Sequence, residues 1–235
     1  GAYILGPRMI ELDRQLRLRD PIYMAGGPPM KQLANRTGAL NQIEYSEFVM
    51  KAQAFADDVN GEPEFPEMHE EVARARELDQ FASAHDAQLN FTIRADKAVW
   101  TVGYVQSHAA KMGFVPGSLP GKMVLQSTNG GVPILTLRFD SQAAMADDTE
   151  QASVHELRME LDVTHVASQL NAYDRMRNTA IDLAAAIDGI LTDDSGARLT
   201  PEALNQIGQS VKSLYAELAA RDFPAGSPLA KRLFS

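Results

Sequence analysis

The histidines and the clustered acids are the first residues to weigh for chemistry. His69, His85, His108, His155 and His165 are scattered, and no two of them form a His-x-x-x-His pair. "MHEEVARA" carries the first half of a zinc-helix motif, but the second histidine needed on the same helix face is missing. The acids of "DGILTDDSG" do not fall at the alternating positions of a calcium loop, and a solvated turn is the better reading. Asp193 and Asp194 are adjacent in sequence, so their carboxylates diverge rather than share a proton. There is no Gly-x-Ser-x-Gly elbow, and the glycines of "AGGPP" and "TNGG" suit turns better than phosphate cradles. The absence of cysteine removes thiol nucleophiles, thiolate metal sites and disulfides. The residues predict no catalytic centre, no metal and no cofactor.

Bulk properties narrow the classes further. The chain has 235 residues, of which 45% are hydrophobic, enough for a genuine core. A net charge of −9 argues against a surface that tracks phosphates, and so against nucleic acid as the main partner. No apolar run approaches the ~20 residues that cross a bilayer, and no signal-peptide pattern opens the chain. The abrupt start "GAYILGPRM" suggests a cut into something longer, with any membrane anchor in a segment absent here.

Two stretches carry the same order of elements. Tyr45 to Gly61 and Tyr173 to Gly189 align without a gap, pairing Tyr45/Tyr173, Ala52/Ala180, Ala56/Ala184 and Gly61/Gly189. Phe48/Met176, Phe55/Leu183 and Val59/Ile187 fall at helical spacing on one face. Each helix is predicted to end at its glycine and to be followed by a helix opening at Pro-Glu, Pro66-Glu67 or Pro201-Glu202. The helices expected are 45–60, 66–82, 97–112, 173–188 and 201–220. The 97–112 helix is expected to be capped by Asp96, ended by Gly113 and to bury Trp100.

Between the repeats the period changes to two. "QLNFTIRA" (88–95) and "SVHELRMELDVTH" (153–165) alternate as half-buried strands. "GKMVLQSTNGGVPILTLRFD" (121–140) is predicted to be a hairpin turning at Asn129-Gly130-Gly131, and "GILTD" a short strand. Residues 87–218 then run β-α-β-β-β-α-β-α, an α+β fold with an antiparallel sheet and helices on one face. "MIELDRQLRLR" (9–19) and "MKQLANRTG" (30–38) are expected to be extended, with a loop at "PIYMAGGPPM" (21–30). This predicts a truncated copy at 1–84, a complete one at 85–222 and a tail at 223–235. The copies either join their sheet edges, hiding them from aggregation, or keep separate faces and bind a polymer by avidity.

This element order, the "MGF" turn, "AIDGILTDDSGARLTPEAL" and the closing "AKRLFS" resemble the C-terminal domain of the ZipA family of bacterial cell-division proteins. The resemblance covers 87–218, with 30–82 as a partial second copy. It implies a split β-α-β fold without catalysis. It also implies binding of the C-terminal tail of FtsZ across the sheet face that the helices leave bare, mostly on apolar side chains and methionines. The family is tethered to the inner membrane through an N-terminal helix and linker, which implies a domain on the cytoplasmic face. The alternative, from a different class, is a small-molecule-binding or enzymatic α+β domain with a pocket between the copies.

Alternation puts Leu89, Phe91, Ile93, Leu135, Leu137, Leu157, Met159 and Leu161 on the helix side. The bare face is expected to present Asn90, Thr92, Arg94, Thr136, Arg138, Arg158 and Glu160, with Met123 and Leu125. This face is more charged than the family's. It is either a plain solvated surface or a seat for an acidic-hydrophobic tail, with Met123 and Leu125 as anchors and the arginines setting register.

Overall fold

A computed structural model describes residues 31–58, 60–127, 132–146, 148 and 151–235. The chain divides into two compact units, one of Ala87–Ser227 and one of Gly1–Asp86 with Pro228–Ser235. The last eight residues, expected to be a tail, thus belong to a unit and carry a helix. The expected strand at 9–19 and the loop at 21–30 lie outside the described residues.

In the unit that includes the C-terminus, β1 (Ala34–Asn35) and β2 (Gly38–Ala39) pair antiparallel. "MKQLANRTG" is therefore a tight hairpin in its described part, turned by the Asn35 side chain accepting from the Thr37 amide at 2.8 Å. α1 (Gln42–Asp58) opens with a reciprocal cap. Asn41 Oδ1 accepts from the Ile43 and Glu44 amides at 3.0 Å, and the Glu44 carboxylate accepts from the Asn41 amide at 3.3 Å. α2 (Met68–His85) follows, with Glu67 at its cap, so Pro66 stands ahead of the helix rather than in its first turn. Leu40, Tyr45 and Ala75 form a small core, and α7 (Pro228–Leu233) packs on β1.

The larger unit is α+β. Its six-stranded sheet runs β10-β3-β9-β7-β6-β5, antiparallel throughout, from β3 (Gln88–Ala95), β5 (Val115–Pro116), β6 (Lys122–Leu125), β7 (Leu135–Arg138), β9 (Glu156–Asp162) and β10 (Gly189–Thr192). α5 (Ala172–Ala186) lies on β10, β3 and β9, with α3 (Val102–Lys111) and α6 (Pro201–Ala220) against α5. The short α4 (Ser141–Ala144) follows β7, capped by Asp140 accepting from the Gln142 and Ala143 amides at 2.7 and 3.1 Å. Phe91, Ile93, Leu135, Leu137, Leu157, Met159 and Leu161 are buried in the helix-side core.

Several expectations are corrected. The helix of 97–112 begins only at Val102, capped by Thr101 accepting from the Tyr104 amide, not by Asp96. Trp100 is buried, as expected, but in an extended pair, β4 (Trp100–Thr101) with β8 (Ser153–Val154), and its indole donates to the Ile187 carbonyl at 2.7 Å. That pairing and the indole bond hold the chain extended where local propensity allows a helix. The strand of 153–165 breaks after β8 and ends at Asp162, where a single 3₁₀ turn follows. The turn of the 121–140 hairpin lies outside the described residues, but its strands pair antiparallel as expected.

The matched helices agree in detail. Tyr45, Phe48, Ala52 and Ala56 are buried on α1, as are Tyr173, Met176, Ala180 and Ala184 on α5. Val59 lies outside the described residues. The Tyr45 hydroxyl donates to the Pro66 carbonyl just ahead of the next helix, and the Tyr173 hydroxyl to the Leu204 carbonyl in the first turn of α6. The left-handed residue ending each helix is not the glycine but the one before it, Asn60 at φ 51° and Asp188 at φ 52°. Gly189 serves close packing instead: a Cβ there would stand 2.6 Å from Ile93 Cγ2 and 3.1 Å from the Trp100 ring.

Candidate peptide-binding face

Residues that face each other across an antiparallel ladder share a side of the sheet. On the side away from the helices, one row runs Lys122, Arg138, Arg158, Thr92, Thr192 across β6, β7, β9, β3 and β10. The next row is Val124, Thr136, Glu160, Asn90, and a third is Glu156, Arg94, Ile190. Six of the eight expected residues, Asn90, Thr92, Arg94, Thr136, Arg138 and Arg158, therefore share this face.

Met123 and Leu125 do not. Met123 stands opposite Leu137 and Leu125 opposite Leu135, both on the helix side, and Met123 is 3% exposed within the core. The positions of β6 that do reach the bare face are Lys122 and Val124, which the sequence reading passed over. "KMVL" has three apolar residues in a row, so its parity could not be read from alternation. The pairing with Arg138 and Thr136 sets it.

The face is uneven. Thr92 and Val124 are buried, while Arg94, Arg138 and Arg158 are exposed. On the β3 side, the turn after β10 stands close by. Asp193 Oδ1 accepts from the Ser195 amide at 2.9 Å, the Ser195 hydroxyl at 2.7 Å and the Ala197 amide at 2.9 Å. The Ser195 hydroxyl bond first, then the backbone bonds, holds the Asp193 carboxyl below the usual range. Asn90 Nδ2 donates to Asp194 at 3.5 Å, and the Arg94 guanidinium packs against Gly196, where a Cβ would come within 2.9 Å of Nη1. Arg94 also pairs with Glu156 at 3.6 Å.

On the β7–β9 side, Arg138 Nε donates to Glu160 at 2.7 Å. An open pocket of about 350 Å³ lies here, walled by Arg138, Arg158, His155, Glu156, Glu160 and Asp140 among others. A second groove, of about 430 Å³, runs between Leu89 and the Ile207, Val211 and Leu214 side of α6. It is lined mainly by apolar side chains, without converging charges. Among the described residues, no three of His, Cys, Asp and Glu gather as metal ligands. Nor is any helix among them long and apolar enough to cross a membrane.

The face presents a strip of polar and cationic side chains with a little aliphatic surface from Val124 and Ile190. No curated protein matches the chain. Residues 140–210, which run from α4 to the middle of α6 and include Arg158 and Glu160, match a family model. The resemblance drawn from the sequence is borne out over that stretch, for the matching family is ZipA, C-terminal FtsZ-binding domain, a protein-interaction domain of cell division.

Proposed function

We propose that this chain is a non-catalytic part of a cell-division protein and that it binds the C-terminal tail of FtsZ on the bare face of the six-stranded sheet. The observation that carries this reading is the family match at 140–210 falling on the unit whose six-stranded sheet bears α5 on one face and, among the described residues, exposed arginines on the other. On this reading the domain works at the cytoplasmic face of the bacterial inner membrane, tethered by a segment outside the chain, and helps organise the division ring.

The contacts available differ from those first expected. With Met123 and Leu125 in the core, the tail meets Thr136, Asn90 and the aliphatic stems of Lys122, Arg138 and Arg158, with Ile190 at the edge. Partly exposed ion pairs contribute about 0.2–1 kcal/mol each, so the interaction is modest and charge-sensitive. Titration calorimetry of the chain with the FtsZ C-terminal peptide tests the reading. Binding that is lost in Thr136→Glu, at the centre of the face, is the result expected. No binding by the unchanged chain sinks the FtsZ assignment, and binding indifferent to Thr136→Glu moves the site elsewhere.

We also infer that the two units arose by duplication, the smaller being a partial copy. The paired tyrosine hydroxyls, the shared burial of α1 and α5 and the left-handed Asn60 and Asp188 support it. Among the described residues the smaller unit has only two-residue strands, so the wide face that a tail needs is found in Ala87–Ser227 alone.

A further inference from the structure

We propose that Lys122, Arg138 and Arg158 form a seat for one carboxylate side chain of the bound peptide, an inference that rests on the bare face being the peptide site. The register places Lys122 opposite Arg138 and Arg138 opposite Arg158, so three cations stand side by side on three adjacent strands. Like charges directly opposite each other on a sheet disfavour the pairing. Among the described residues their neutralisation by ion pairs is incomplete. Glu160 is taken by Arg138 Nε and Glu156 pairs with Arg94, while Arg158 and Lys122 have no ion pair among the described residues. The remaining neighbour of Arg158 in the row is Thr92, which is neutral and buried.

Two of the three cations line one open pocket, together with the carboxylates of Asp140, Glu156 and Glu160. Arg138 and Arg158 wall the open pocket of about 350 Å³, and the bond from Arg138 Nε fixes that guanidinium with its two terminal nitrogens unengaged by Glu160. Planar guanidinium groups match a carboxylate through paired hydrogen bonds. Glu156 and Glu160 flank Arg158 on β9, so a phosphate of higher charge meets more repulsion here than a single carboxylate does. The row crosses interior strands, with β5 beyond one end and β3 and β10 beyond the other. An extended segment continues past the seat on both sides, and the carboxylate is that of an aspartate or glutamate side chain rather than a chain end.

The test uses the whole chain and a short aliphatic peptide with blocked termini carrying one aspartate, alongside its asparagine twin and the FtsZ C-terminal peptide. The aspartate peptide is expected to bind about fivefold more tightly than its twin. In Arg158→Gln that ratio falls to about one, while the denaturation midpoint stays or rises because a like-charge contact has gone. Equal affinity of the twins, no measurable binding of the aspartate peptide, or a ratio that survives Arg158→Gln overturns the seat. So does a fall in the midpoint with loss of the ratio, which makes Arg158 structural. Tighter binding of a neutral peptide with a free C-terminus overturns the side-chain assignment. If the aspartate preference holds and the FtsZ peptide does not bind, the FtsZ reading fails and the seat stands.

Discussion

At the scale of single residues, the chain shows how little room its packing leaves. Gly189→Ala forces a methyl group against Ile93 and Trp100, both buried. A loss of about 1–3 kcal/mol in chemical denaturation is expected, typical of overpacking. Tyr215 makes a prediction with pH. Burial pushes its phenol from 10.0 to about 12 in the folded chain, and burial likewise raises Tyr173. The folded state keeps the proton more firmly, so this stability is whole below pH 10 and is lost as pH rises toward 12. Alkaline denaturation of Tyr215→Phe should show a shallower fall across that window, and an unchanged slope would contradict the assignment. The sequence showed that a glycine mattered at 189 but gave the wrong reason. Steric closeness to Ile93 and Trp100 depends on strands far apart in the chain, whereas the left-handed turn at Asp188 is a local event that aspartate tolerates.

At the scale of elements, the periodic segments were legible and their ends were not. α6 begins at Pro201 and ends at Ala220 as predicted, because Thr200, Pro201 and Glu202 mark its start and a long apolar stripe marks its length. β3 alternates apolar and polar residues in sequence and its register follows that alternation, although Thr92 on the bare face is buried as well. β6 failed because four residues with three apolar neighbours carry no phase, and phase decides which side chains meet a partner. The consequence is testable. Met123→Ala, once expected to remove a peptide anchor, should instead destabilise the fold by about 2–5 kcal/mol in urea denaturation. Peptide affinity of the remaining folded chain should be unchanged. A stable Met123→Ala chain with lost binding would return this residue to the site.

At the scale of the whole molecule, charge is distributed against the average. The chain carries −9, yet one row of the bare sheet face holds Lys122, Arg138 and Arg158. An acidic tail attracted to that row should bind several-fold more weakly when salt is raised from 0.1 M to 1 M, where the screening length falls from about 10 to about 3 Å. An affinity independent of salt would assign binding to apolar contacts. The measurement that bears most directly on the central claim is nuclear magnetic resonance of the whole chain during titration with the FtsZ C-terminal peptide. Saturable shifts are expected at Lys122, Thr136, Arg138, Arg158 and Asn90, with residues 31–86 unmoved. Absence of shifts, or shifts confined to 31–86 or to the Leu89, Ile207 and Leu214 groove, would contradict it.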